Sequence, residues 1–201
     1  MDDNKRTALE QRRQQLQLKI QAEAYIERHI KPARELFDDL HQHEVTFEIA
    51  GLVYTPEEYR SDIEQTIVQP MYNDYGFQPN HLQSSAIEQL LDTLFDQYPS
   101  VNSLRYVPNL AKYADYGNMP PKGSLRDGLQ KTVQALDLQN QNVYVYYLQY
   151  ALVLKVSLHD LCIHDHEDLF NTWHGEVVIF PDHSDWLIVF TLEEEWLGGQ
   201  K

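Results

Sequence analysis

Alternation of apolar and polar side chains predicts the β-strands of this chain. In EVTFEIAGLVY, Val45, Phe47 and Ile49 alternate with Thr46 and Glu48, which is the period-two pattern of a half-buried strand. The stretch VYVYYLQYALVLKVSL carries an apolar or aromatic side chain at every even position, over a length that favours a bend or a split into two strands. The predicted strands cover residues 44–53, 143–158, 176–180 and 186–192.

A helical period predicts a long N-terminal helix over residues 7–40. Between Ile26 and Leu40 the apolar residues recur at steps of three and four and form one stripe. Pro32 interrupts this stripe, so we expect a kink or a break there. The first half has only Leu9 and Leu16 as its main apolar anchors, which is consistent with a frayed surface helix or with pairing to a second copy.

Three shorter helices are predicted in the middle of the chain. The first begins at Thr55 as N-cap, with Pro56 at the first helical position, and runs to about Val68. The second covers residues 84–98, and the third covers residues 124–136. The stretch 107–123 is rich in proline and glycine, which predicts a long irregular connection.

These elements together predict an α+β fold. We expect an antiparallel sheet with helices packed mainly on one face and a long N-terminal helix. The organisation that follows is an N-terminal helical segment over residues 1–40, kinked at Pro32, and a single α+β domain over residues 41–201.

Charge limits the partners that the chain can have. Its 201 residues carry a formal net charge of −15. Residues 1–34 hold 8 Lys and Arg against 5 acids, while residues 35–201 hold 8 against 26 and therefore carry about −18. Such a body repels nucleic-acid phosphates and attracts a basic protein partner. The simpler alternative is that the acids only confer solubility.

The remaining composition argues against several classes of protein. A lone cysteine, Cys162, suits a reducing compartment, and we find neither an N-terminal signal sequence nor an apolar run long enough for a membrane. We therefore expect a cytoplasmic protein without membrane contact. No glycine-rich phosphate loop, nucleophile elbow or paired-carboxylate motif occurs, so we assign no catalytic residue and no cofactor.

The segment HDLCIHDHEDLFNTWH, residues 159–174, is the strongest candidate for metal chemistry. Its His164, His166 and Asp168 resemble the opening of the metallo-β-lactamase superfamily motif, but Leu169 stands where that motif requires histidine. Zincin and zinc-deaminase spacings also lack a required ligand. We therefore assign no metal ligands, and a metal-dependent enzyme using this cluster is kept as a lesser alternative.

Helix capping explains the same cluster without a metal. Asp165 suits an N-cap, His174 falls in the last turn, and Gly175 suits the left-handed residue that ends a helix. In this interpretation a helix covers residues 166–174. Its buried face consists of Leu169, Phe170 and Trp173.

The end of the chain resembles a known class of proteins. Trp173, followed by GEVVIFPD and by DWLIVF with acids after it, is similar to the C-terminal hairpins of small bacterial immunity proteins, over about 25 of the 201 residues. Those proteins neutralise a cognate toxin of the contact-dependent or polymorphic type. The resemblance implies an inhibitor that binds a basic toxin domain, often a nuclease, and sets its acids against the toxin's phosphate-binding surface.

The favoured interpretation is a non-enzymatic acidic binding protein of this immunity type. The alternative is an interaction or scaffold protein that forms a homo-oligomer through its N-terminal helix. For the partner-binding surface we expect clustered, uncompensated acids on the last hairpin, together with a tryptophan as aromatic anchor if it is exposed. The predicted partner-binding residues are Asp182, Asp185, Trp186, Glu193, Glu194 and Glu195.

Overall fold

A computed structural model describes residues 3–63, 73–74, 82–115, 125–150, 152–163 and 169–201. It confirms the α+β class, the antiparallel sheet and the long N-terminal helix. The predicted tail of the helix after residue 63, the connection 116–123, His164 and His166 lie outside the described residues. The described α-helices are α1 (Asp3–Tyr25), α2 (Arg34–Gln42), α3 (Glu57–Ile63), α4 (Ser84–Gln97), α5 (Leu125–Ala135) and α6 (Leu158–Ile163).

Seven strands form one sheet in the order β1-β4-β3-β5-β6-β7-β2. Every neighbouring pair is antiparallel. The strand predicted over 143–158 is split, as expected, into β3 and β4. The strands are β1 (Phe47–Leu52), β2 (Ala111–Asp115), β3 (Asn142–Tyr147), β4 (Leu152–Ser157), β5 (Val177–Phe180), β6 (Trp186–Phe190) and β7 (Glu195–Gln200).

The helical geometry changes at the position predicted from Pro32. Regular α-helix gives way to a π-helical turn over Ile26–Ile30 and to a 3₁₀ turn over Lys31–Ala33. Proline lacks the amide hydrogen that an α-helix needs, which explains the irregular stretch around it. The chain divides into two compact units, of which the first holds residues 1–32 and 54–79 and the second holds 33–53 and 80–201. One of the divisions between these units follows Pro32. The predicted organisation into a segment over residues 1–40 and a single domain over residues 41–201 stays a prediction.

The first unit pairs α1 with α3. The Tyr59 hydroxyl donates a hydrogen bond to Oε1 of Gln21 over 2.9 Å, and the rings of Tyr25 and Tyr59 lie 6.4 Å apart. Ala22 on the same side of α1 is buried. These contacts define the side of α1 that faces α3.

One face of the sheet packs against α4 in the second unit. Val153, Val178 and Val189, on three strands of the sheet, join Ile87 and Leu91 of the helix in one buried cluster. The predicted apolar face of residues 84–98 is therefore the face that α4 buries.

Helices α2 and α5 cover the opposite face. Phe37 of α2 stacks on Phe47 of β1 with 5.3 Å between the ring centroids. Gly198 of β7 allows α5 to approach closely, since a Cβ at this position would lie only 2.8 Å from Cγ2 of Thr132. Phe170 and Phe190 each lie 5.0 Å from the Trp196 ring and complete this side of the core.

Two predictions about local structure need correction, and one strand was missed. Residues 107–123 are not wholly irregular, because β2 occupies Ala111–Asp115 and pairs with β7. The strand β7 itself was not predicted. The described part of the expected helix over 166–174 is a turn followed by a 3₁₀ turn at Thr172–His174. Gly175 does adopt the predicted left-handed conformation, with φ of 75°.

Candidate functional site

The predicted acidic residues occupy two separate turns. Asp182 and Asp185 lie between β5 and β6, whereas Glu193 and Glu194 lie between β6 and β7. The intervening strand β6 has five residues and so separates the two turns by about 17 Å. The expectation that these acids form one cluster is therefore wrong.

Several of these carboxylates have partners. Glu193 forms an ion pair with Arg105, and Glu195 forms one with Lys112. Asp182 lies 3.3 Å from the His183 ring. The premise of five uncompensated acids is thus also wrong, because Glu193 and Glu195 are paired. Their basic partners, Arg105 and Lys112, lie on a loop and a strand that are distant in sequence. Whether these acids bind a partner stays a prediction.

Neither tryptophan of the final hairpin is available as a surface anchor. Trp186 is 4% exposed and Trp196 is fully buried. The exposed tryptophan is Trp173, whose side chain is 82% accessible to solvent. The expectation that Trp173 packs in the core is wrong. Trp186 and Trp196 were expected to act as an anchor only if exposed, and that condition is not met.

A short polar turn holds Trp173 on the surface. The side-chain oxygen of Asn171 accepts a hydrogen bond from the backbone N–H of Trp173 over 3.1 Å. The backbone N–H of His174 donates to the carbonyl of Asn171 over 2.9 Å. Asparagine commonly closes turns in this way. Gly175, which follows, leads the chain into β5.

Trp173 borders a cleft of about 440 Å³, which we call the Trp173 cleft. The described residues in its walls include one carboxylate and no lysine or arginine. An exposed indole beside a carboxylate suits a cationic or amphipathic side chain from another molecule. The lining residues are Glu35, Leu36, Asn171, Trp173 and His174.

Buried aromatic residues fix the inner wall of this cleft. The Tyr150 hydroxyl lies 2.7 Å from Nδ1 of His174, a buried hydrogen bond, and the Tyr147 ring meets the His174 ring edge-on. Burial, and after it the carboxylate of Glu35, raises the pKa of Tyr150. Burial raises the pKa of Tyr147 as well, with a further contribution from Asp39. Both phenols therefore keep their protons at neutral pH.

We expect Tyr150→Phe to lower the free energy of unfolding by about 1–3 kcal/mol, because it removes a buried hydrogen bond to His174. Urea denaturation measures this change. Tyr113→Phe is the matched control, since no described residue bonds to the Tyr113 hydroxyl, and it should change stability little. Equal stabilities of the two variants would contradict the role of the Tyr150 bond.

A second cleft is lined in part by Glu176, the residue that follows Gly175. It has a volume of about 480 Å³, and we call it the Glu176 cleft. Glu176 is buried although its side chain lines this cleft. Trp173 and His174 therefore line the first cleft, and Glu176 lines the second. The lining residues are Ser100, Ser103, Leu104, Arg105, Tyr106, Leu148, Gln149 and Glu176.

The described residues contain no group of three or more His, Cys, Asp and Glu side chains that could hold a metal ion. Of the candidate cluster, His159 is exposed and His174 is committed to the Tyr150 bond. His164, His166 and Asp168 lie outside the described residues. The described part of the chain therefore assigns no ligands to the metal-dependent alternative.

Cys162 lies at the end of α6, and burial raises the pKa of its thiol to about 11. At pH 8 about 0.1% of this thiol is ionised, against about a quarter of a free cysteine. We expect iodoacetamide to alkylate the folded chain about 200-fold more slowly than the urea-unfolded chain at pH 8, in proportion to the ionised fractions. Between pH 8 and 10 the folded rate should still rise about tenfold per unit, while the unfolded rate levels off. Equal rates at pH 8 would contradict the burial of the thiol.

Comparison of the chain with protein-family models and with curated proteins finds no match, and no solved structure matches either. Among the described residues, no helix is long and apolar enough to cross a membrane. The functional proposal therefore rests on the charge of the chain and on the exposure of Trp173.

Proposed function

We propose that the chain is a cytoplasmic, acidic, non-enzymatic binding protein that captures a basic toxin domain, as immunity proteins do. The net charge of −15 supports this, because it attracts a cationic partner and accelerates the encounter. The resemblance of residues 173–195 to immunity-protein hairpins supports the same class of function.

The observation that carries the proposal is the exposure of Trp173. Tryptophan is strongly enriched among the residues that dominate binding energy, and a folded protein ordinarily buries most of this side chain. Here the indole projects beside Glu35 from the acidic unit. An exposed aromatic side chain next to a carboxylate is complementary to a basic surface. The Trp173 cleft thus replaces the final hairpin as the centre of the proposed interface.

Growth rescue tests the proposed function. The product of a toxin-like reading frame adjacent to this gene is expressed in host cells, with and without the chain. We expect the product alone to stop growth and co-expression of the chain to restore it. Continued toxicity in the presence of soluble, folded chain would contradict the immunity function.

The exposed side of α1 favours self-association as a second function. On a helix with 100° per residue, Leu9, Leu16 and Ile20 fall within an arc of about 40°. Their exposed fractions are 59%, 59% and 56%. Ala22 and Tyr25 lie on the opposite side, which faces α3. An apolar stripe left open on a helix is a surface for a second copy.

We expect Leu9→Gln, Leu16→Gln and Ile20→Gln together to convert a dimer to a monomer in sedimentation equilibrium, if the stripe pairs two chains. Glutamine preserves helix propensity while it removes the apolar surface. A control with Val101→Gln and Leu104→Gln changes two exposed apolar residues elsewhere. A wild-type chain that is monomeric at all concentrations would rule out this second function.

A further inference from the structure

The buried environment of Glu176 is energetically unfavourable for a carboxylate. Its side chain is 7% exposed, and no described residue donates a hydrogen bond to its buried Oε1. A buried carboxylate without a partner destabilises the folded state, because it loses hydration without a compensating contact. Native proteins rarely retain such a group without a use for it. A hydrogen-bond donor or a cation beside this carboxylate would therefore stabilise the folded protein.

The walls of the Glu176 cleft suit a long side chain with a positive end. Leu104, Tyr106 and Leu148 provide apolar surface for an aliphatic stem. Ser103 adds a polar residue to the lining of the cleft. The cleft is also accessible, because Leu104 beside it is 91% exposed.

Arg105 does not supply the missing charge in the described structure. It lines the same cleft, but its guanidinium forms an ion pair with Glu193 on the turn between β6 and β7. Arg105 is the one basic residue among the described residues of this wall, and Glu193 neutralises it. No residue in the described part of the chain donates a hydrogen bond to Oε1 of Glu176.

We propose that the Glu176 cleft binds a lysine or arginine side chain of the protein partner. The aliphatic stem lies against Leu104 and Leu148, and the cationic group reaches the carboxylate of Glu176. That the bound side chain belongs to a protein rests on the proposed function. That the cleft prefers a cation rests on the cleft alone. The unpaired carboxylate thus destabilises the free protein, and binding of a cation removes this cost.

Nuclear magnetic resonance of the full ¹⁵N-labelled chain tests the chemistry of the cleft without the partner. The probes are the N-acetyl methylamides of lysine and arginine, with that of norleucine as the neutral control. We expect saturable shifts of the Leu148 and Arg105 amide signals with both cationic probes and none with norleucine. Glu176→Gln should abolish these shifts. Glu194→Gln, which removes the same charge from an exposed turn, should preserve them.

Thermal stability separates a binding carboxylate from a structural one. We expect Glu176→Gln to raise Tm by about 2–4 °C, because it removes an unpaired buried charge, and Glu194→Gln to leave Tm unchanged. Probe shifts that persist in Glu176→Gln, or a Tm that falls in that variant, would overturn the proposal.

The two proposals fail in different ways. Loss of growth rescue with intact, Glu176-dependent probe binding would refute the immunity function and leave the cation subsite standing. Growth rescue by the wild-type chain without any Glu176-dependent probe binding would refute the subsite and leave the immunity function standing.

Discussion

Trp196→Ala is expected to lower the free energy of unfolding by about 3–5 kcal/mol. The indole is fully buried and contacts the rings of Phe170 and Phe190, each 5.0 Å away. Alanine would leave a cavity that strands and a short turn cannot close by small movements. Urea denaturation followed by far-ultraviolet circular dichroism measures the change without depending on tryptophan fluorescence.

Trp196→Phe is the matched control for this prediction. It retains an aromatic ring for Phe170 and Phe190, and it removes an indole N–H that has no hydrogen-bond partner among the described residues. We therefore expect a much smaller loss of stability than for alanine. An alanine variant as stable as the wild type would show that β7 does not form part of the core.

The elements with strong internal periodicity could be predicted from the sequence. Residues 84–98 have an apolar face at helical spacing, and α4 occupies Ser84–Gln97. The alternation over 143–158 produced the central strands β3 and β4, as predicted. In these segments local pattern and tertiary packing require the same side chains on the same face.

The neighbouring strands β7 and β2 could not be predicted, because their residues pack against partners that are distant in sequence. In β7 the consecutive glycines at 198 and 199 suggest a turn, yet both make room for neighbours. A Cβ on Gly199 would lie 2.5 Å from Cδ2 of Leu110, and one on Gly198 would collide with Thr132 of α5. The strand β2 has five residues and pairs only with β7, so its own sequence contains little signal.

The candidate site was only partly predictable for the same reason. The sequence drew attention to residues 159–174, but capping chemistry suggested an α-helix that would bury Trp173. The described turn instead ends at His174. Its imidazole forms a hydrogen bond with the hydroxyl of Tyr150, which lies in the connection between β3 and β4. The unpartnered state of Glu176 depends on the fold and has no local sequence signal. Likewise, the ion pairs of Glu193 and Glu195 join residues more than eighty positions apart.

Trp173→Ala is expected to weaken binding to the captured toxin domain at least about 30-fold while leaving stability unchanged. The side chain is 82% exposed in the free protein, so its removal costs the fold little. In a complex the indole would be desolvated beside Glu35 and would contribute the aromatic anchor. Isothermal titration calorimetry with the purified toxin domain measures the loss of affinity, and thermal unfolding checks that the variant is folded.

Acrylamide quenching provides an independent measurement of the same contact. Trp186 and Trp196 are buried, so quenching of the free wild-type chain reports mainly on Trp173. Binding of the partner should protect this fluorescence if the indole enters the interface. Ile163→Ala removes another exposed apolar side chain and serves as the control, with affinity unchanged. Two results together would place the interface elsewhere and remove the main support for the Trp173 cleft. These are full quenching of Trp173 in the complex and wild-type affinity of Trp173→Ala for the partner.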